Sequence, residues 1–122
     1  ECFIAQRLVR VVCPKCRQSA KISEEMAREF SEEVKIDSSM VIYESKGCEA
    51  CGFTGYSGRQ AIYEFLVCTE EIRQLIMERV AASQIKKKAV ELGMRTLRQA
   101  GWEKVKNGLT TPQEVIRVTK EE

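Results

Sequence analysis

The sequence predicts an α+β chain: an antiparallel strand pair, a tetracysteine metal module inserted between the two strands, and a small C-terminal helical bundle. Three observations carry this. Cys13-Pro14-Lys15-Cys16 and Cys48-Glu49-Ala50-Cys51 are two Cys-x-x-Cys pairs with 31 residues between them. A β-rich run precedes the first pair and another follows the second. From Thr69 onward the apolar residues recur at helical spacing, punctuated by caps and glycines.

In chain order, residues 3–12 are rich in β-branched side chains and read as a strand. Each Cys-x-x-Cys can turn tightly enough to aim two thiolates at one point. Pro14 pre-sets φ in the first turn, and Gly52 tolerates positive φ after the second. Four thiolates from two such turns suit a tetrahedral Zn²⁺ site, predicted at Cys13, Cys16, Cys48 and Cys51. The chain has no His, so a complete site must be all-cysteine. A redox dithiol would leave one pair unexplained, and two disulfides are the remaining alternative. A closed four-thiolate site has no open position for a substrate, so a structural metal is expected.

Between the knuckles, Ser23 caps a short helix with Glu24 and Glu25 in its first turn and Met26, Phe30 and Val34 on one stripe. Met40-Val41-Ile42-Tyr43 reads as a short strand. Arg59–Val67 is the clearest strand, with Ala61, Tyr63, Phe65 and Val67 on one face, and it pairs most simply with residues 4–12. The metal module is then an excursion with little core of its own. Thr69 caps the next helix, with Ile72, Leu75, Ile76 and Val80 as its buried stripe. Ser83 is expected to cap another, burying Ile85, Ala89 and Leu92 and stopping at Gly93. Thr96-x-x-Gln99 and Thr111-Pro112-Gln113-Glu114 are two capping boxes. The division expected is a strand at 1–12, the metal module at 13–58, a return strand at 59–68 and a helical bundle at 69–122.

Twenty basic against 18 acidic residues leave a net charge of +2, short of the basic surplus expected of a nucleic-acid binder. No apolar run approaches the length of a membrane helix. The first residue is Glu1 rather than Met, which suggests a piece of a longer protein. Cys2 and Cys68 have no evident partner; four ligands plus two free thiols fit a reducing cytoplasm. No Gly-x-x-x-x-Gly-Lys-[Ser/Thr] is present, and without His there is no Ser-His or Cys-His nucleophile. Glu64 reads as solvated or paired with an arginine. No catalytic or cofactor-binding residue is predicted.

Ala5-Gln6-Arg7-Leu8-Val9-Arg10 followed by Cys13-Pro14-x-Cys16 resembles the C-terminal region of bacterial secretion ATPases. These are the type II secretion ATPase (general secretion pathway protein E) and the type IV pilus assembly ATPases of the PulE/PilB type. Gly47-Cys48-x-x-Cys51-x-x-Thr54-Gly55-Tyr56-x-Gly58-Arg59-x-x-Ile62-Tyr63-Glu64 is a more specific block of the same resemblance. Gly93-Met94-Arg95-Thr96-Leu97 and Gly108-Leu109-Thr110-Thr111-x-x-Glu114-Val115 extend it over almost the whole chain.

The resemblance implies a parent hexameric ATPase with a RecA-like motor domain on the cytoplasmic face of the inner membrane. Its ATP and Mg²⁺ site would lie upstream of Glu1. This piece would be structural and coupling: the last strand pair of the motor, the zinc module and the C-terminal helices. Its partners would be other subunits of the hexamer and the inner-membrane platform proteins of the machine. Glu71-Ile72-Arg73-Gln74-Leu75-Ile76-Met77-Glu78 also resembles the Ala-Ile-Arg-Asn-Leu-Ile-Arg-Glu motif of the pilus retraction ATPases, matching at Ile72, Arg73, Leu75, Ile76 and Glu78. Arg73 is the residue a packing role does not explain, and it is assigned to a partner or subunit interface.

Two other classes compete. A free-standing zinc ribbon that binds nucleic acid would show basic and aromatic residues clustered at the knuckles. Here Lys15, Arg17, Lys21 and Lys46 are offset by Glu44 and Glu49. A chaperone-type cysteine-rich module needs Cys-x-x-Cys-x-Gly-x-Gly, and Cys48–Gly55 misses that spacing by one.

Overall fold

A computed structural model describes residues 2–30, 36 and 40–120. Two antiparallel ladders are nested one inside the other. The outer ladder pairs β1 (Cys2–Val12) with β4 (Tyr56–Val67), from Cys2 opposite Val67 to Val12 opposite Tyr56. The inner ladder pairs β2 (Arg17–Lys21) with β3 (Val41–Ser45). The first Cys pair joins β1 to β2 and the second joins β3 to β4. The knuckles therefore face each other where one ladder hands over to the next. The expected pairing of 4–12 with 59–67 is what forms. Strand β2 has no counterpart in the sequence reading, because Arg17-Gln18-Ser19-Ala20-Lys21 contains no β-branched or aromatic residue.

Helix α1 (Glu24–Phe30) starts at Ser23, whose Oγ accepts from the Met26 N–H. Phe30 is buried and Met26 half-buried, while Val34 lies outside the described residues. α2 (Glu70–Met77) is capped by Thr69, and α3 (Ala82–Glu91) follows. α4 (Leu97–Lys106) opens with the full Thr96/Gln99 capping box, and α5 (Pro112–Thr119) with Thr111.

Three expectations need correction. α3 starts at Ala82 after Ala81, which offers no capping side chain, so Ser83 lies inside the helix. The four helices do not make one bundle: α2 packs on α3, whereas α4 and α5 pack on each other and on the strands. The stripes expected on α2 and α3 are only partly covered. Ile72 and Ala89 are buried, but Ile76 is 41% exposed and Leu92 is exposed as well.

The core explains this arrangement. Its main cluster is Ile22, Phe30 and Ile42 from the inserted region with Trp102, Val105 and Val115 from α4 and α5. The Phe30 and Trp102 rings lie 4.7 Å apart. The inserted region, expected to have little core of its own, shares its apolar interior with the last two helices. Gly101 sets their spacing: a Cβ there would lie 2.6 Å from Val115 Cγ1. A smaller cluster of Val9, Ile62 and Ala100 seats α4 on the inward face of the β1–β4 ribbon. The opposite face carries Ile4, Leu8, Tyr63, Phe65 and Val67, all exposed. Glu64 has a role the sequence did not show: its Oε1 accepts from the Leu97 N–H at 3.0 Å, a second cap on α4 from the neighbouring strand.

Candidate metal centre

The four predicted ligands converge. The Sγ atoms of Cys13, Cys16, Cys48 and Cys51 all lie within 4.8 Å of one another. Cys13–Cys48 and Cys48–Cys51 are 3.8 Å apart, and Cys16–Cys51 is 3.9 Å. A tetrahedron with Zn–S bonds of about 2.3 Å has sulfur–sulfur edges of roughly 3.8 Å, so the donor set fits that ion in both chemistry and spacing. All six cysteines are free thiols. Cys13 is buried and the other three ligands are half-buried, a closed all-sulfur site that suits holding a metal rather than opening it to a substrate.

Local backbone geometry aims the thiols. The first turn closes with the Arg17 N–H on the Cys13 carbonyl at 3.1 Å. The second passes through a 3₁₀ turn, Glu49–Cys51, and closes with the Phe53 N–H on the Cys48 carbonyl at 2.8 Å. Gly47, at φ +98°, admits no side chain: a Cβ would sit 2.7 Å from the Phe53 carbonyl oxygen. The Cys13 N–H donates to the Gly55 carbonyl at 2.9 Å, linking one knuckle to the other. Phe53 itself adopts φ +62° and is 72% exposed at the tip.

Amide donors also tune the sulfurs. The Cys48 N–H points at Cys51 Sγ (3.2 Å), joined by the Gly55 N–H (3.3 Å), and these bonds bring the Cys51 thiol down to about 6. The Lys15 and Cys16 amides lower Cys13. Burial, reinforced by the neighbouring cysteines, pushes Cys16 up to about 12. The amide bonds thus favour the thiolate form at Cys13 and Cys51, and a bound cation would favour it at all four.

Arg73 belongs to neither buried cluster. Its side chain is 57% exposed, and its nearest carboxylate is Glu70, one helical turn back, at 3.9 Å. A second polar centre escaped the sequence reading. Glu114 is 1% exposed and accepts from Arg10 (Nη2, 3.0 Å) and from Arg117. Burial alone would raise its pKa, but the hydrogen bonds from Arg117 and Arg10 prevail and bring it down to about 2. The Thr111–Glu114 box is therefore half a box: Thr111 accepts from the Glu114 N–H, but the carboxylate turns to the arginines instead of back to the cap. A Glu at that position signals a capping box, and nothing local could reveal that Arg10, 104 positions away, would claim it.

A family model described as "Type II/IV secretion system protein" matches residues 1–117. The chain is 43% identical over 117 residues to the type IV pilus assembly ATPase PilB of Thermus thermophilus, covering 95% of this chain and 13% of that protein. It is 40% identical over 121 residues to the type II secretion system protein E of Dickeya dadantii, covering 98% and 23%. It is 35% identical over 118 residues to the type II secretion system ATPase E of Vibrio cholerae, covering 97% and 23%. The chain thus spans less than a quarter of the length of each of these relatives. On its matched motifs, its cysteine framework and this near-complete coverage, the chain belongs to the type II/IV secretion system protein family.

Proposed function

We propose that this chain is the C-terminal metal-binding and helical region of a hexameric ATPase that powers type II secretion or type IV pilus assembly, and that it holds one structural Zn²⁺ through Cys13, Cys16, Cys48 and Cys51. In this reading residues 1–12 and 59–68 are the last strands of a RecA-like motor domain, 13–58 the metal module and 69–122 the coupling helices. ATP and Mg²⁺ bind in the parent protein, outside this chain. The machine works at the cytoplasmic face of the inner membrane against other subunits and the platform proteins, with Arg73 at one of those interfaces. No described helix is long and apolar enough to cross a membrane.

One observation favours this over a free-standing zinc ribbon. The outer face of the β1–β4 ribbon exposes Ile4, Leu8, Tyr63, Phe65 and Val67 together. A small independent domain rarely leaves such a patch in water. The relatives carry more than three quarters of their length outside the matched region, and that length is the natural cover.

The test is metal analysis combined with calorimetry on residues 1–122. About one zinc per chain, no measurable ATP binding and no salt-dependent nucleic-acid binding are expected. Absence of zinc from protein purified without chelator sinks the metal assignment. Micromolar ATP affinity would place a nucleotide site in this region and sink the division of labour. Nucleic-acid affinity that falls with salt would favour the ribbon reading.

A further inference from the structure

Two arginine–tyrosine stacks bracket the four cysteines. Arg10 precedes the first Cys pair and Arg17 follows it; Tyr43 precedes the second pair and Tyr56 follows it. The Arg10 guanidinium lies 4.2 Å from the centre of the Tyr56 ring, and that of Arg17 lies 4.6 Å from the centre of Tyr43. Each stack thus joins the strand at one knuckle to the strand at the other, the same two segments that the thiols bring together.

Both stacks reach the same place, the turn between α4 and α5. Arg17 Nη1 donates to the Gly108 carbonyl at 3.2 Å. Val12 N–H donates to the Leu109 carbonyl at 2.8 Å, and Thr110 Oγ1 donates to the Arg10 carbonyl at 2.7 Å. Tyr56 Oη and Thr111 Oγ1 are hydrogen-bonded at 2.9 Å. Arg10 holds Glu114 through its backbone N–H and its guanidinium. Every residue from Gly108 to Thr111 is therefore tied to a residue that flanks a cysteine pair. Tyr43 also fills the space above Gly108, where a Cβ would lie 3.0 Å from its ring.

We propose that Arg10 with Tyr56 and Arg17 with Tyr43 form a clasp that transmits metal occupancy of the cysteine site to the α4–α5 turn. The proposal rests on the metal reading of that site. A metal fixes the two knuckles against each other. When it leaves, the two thiol turns lose their common tie, and each arginine–tyrosine stack, at the end of its ladder beside those turns, loosens as that ladder end frays. The turn from Gly108 to Thr111 then loses its side-chain anchors from Arg17 and Tyr56 and loosens, together with the start of α5. Arg10 and Arg17 act through the turn as positioning residues and touch no ligand themselves.

The test follows amide hydrogen exchange at residues 108–115 in the full chain before and after chelation, with zinc content measured on the same samples. Wild type, Arg17→Ala and the milder Arg17→Lys are compared. Chelation should speed exchange at 108–115 by about tenfold or more, the scale expected for a stacked, charge-assisted contact. Zinc-loaded Arg17→Ala should already exchange faster there with its zinc unchanged. Chelation should then add distinctly less than it does in wild type, because both perturbations break one link. If Arg17→Ala does not fold, Arg17→Lys should show the same pattern at smaller amplitude. Zinc lost with exchange at 108–115 unchanged overturns the clasp and leaves the metal site standing. Equal chelation effects in wild type and variants also overturn it, as does a rise spread evenly to the Gln6–Tyr63 pair. No zinc at the outset overturns both the clasp and the metal reading.

Discussion

Helix pairs α2–α3 and α4–α5 are built from similar material and end differently. Both carry apolar residues at helical spacing, and both include Thr caps whose side chains accept a backbone N–H of the first turn. In α4–α5, Ala100, Gly101, Trp102, Val105 and Val115 are buried against the inserted region and the outer ribbon. Glu64 and Glu114 pin both helices to the strands. In α2–α3, Ile72 and Ala89 are buried, but Ile76, Met77, Val90 and Leu92 remain exposed, Met77 at 76%. An amphipathic pattern states which side of a helix is apolar; whether that side is covered depends on what else the chain can bring to it.

The sharpest break of this comparison is a pair of truncations. Trp102→Ala should cost about 3–5 kcal/mol, the usual loss for a large buried aromatic. Met77→Ala should stay within about 0.5 kcal/mol. Denaturant unfolding followed by circular dichroism reads both, and equal costs would mean that α2–α3 is as integral to the fold as α4–α5.

A smaller effect isolates the charged pin on α5. Glu114→Gln should destabilise by about 1–3 kcal/mol, moderated by the half-exposed arginines it leaves behind. The native pKa of Glu114 is held at about 2, below its usual 4.5. Its stabilisation is therefore complete above about pH 4.5 and is lost as pH falls through 2. The wild-type melting temperature should drop across that window relative to its value at pH 6. The loss should be smaller in Glu114→Gln, and identical pH profiles would show that the pin does not act as an ion pair.

The smallest expected effect is at Arg73. Arg73→Ala should change melting of this chain by less than about 0.5 kcal/mol, because the side chain is exposed and its 3.9 Å ion pair with Glu70 lies on the surface. In the full-length protein the same change should lower secretion or piliation. Melting as damaged as that of Leu75→Ala would make Arg73 structural. Normal secretion by the full-length variant would leave it a solvated charge.

What was legible in the sequence was carried by short-range rules. Two Cys-x-x-Cys pairs named the four cysteines that converge, and Thr69, Thr96 and Thr111 marked helix starts because a cap depends on its own next three residues. The β1–β4 pairing followed from two β-rich runs flanking one insertion. What stayed hidden was set by distant partners. Tyr63, Phe65 and Val67 look like a core face, yet Ile62 on the other side is the buried residue, because α4 arrives there through Ala100. Strand β2 exists because β3 pairs with it, against its own composition. Ala81 starts a helix with no side-chain signal at all.

The nesting of the two ladders also bears on the order in which they can form. Val12 and Tyr56 must find each other across the whole inserted region, a long-range closure that is slow in proportion to the chain entropy it removes. Cys13 and Cys48, 35 positions apart, lie next to that junction. Any bond that joins the knuckles first turns β1 and β4 into the arms of an ordinary hairpin with a short turn, and zipping from Val12–Tyr56 out to Cys2–Val67 becomes a local process. Refolding with metal present from the start should therefore be faster than refolding with metal added late, even where both reach the same final state.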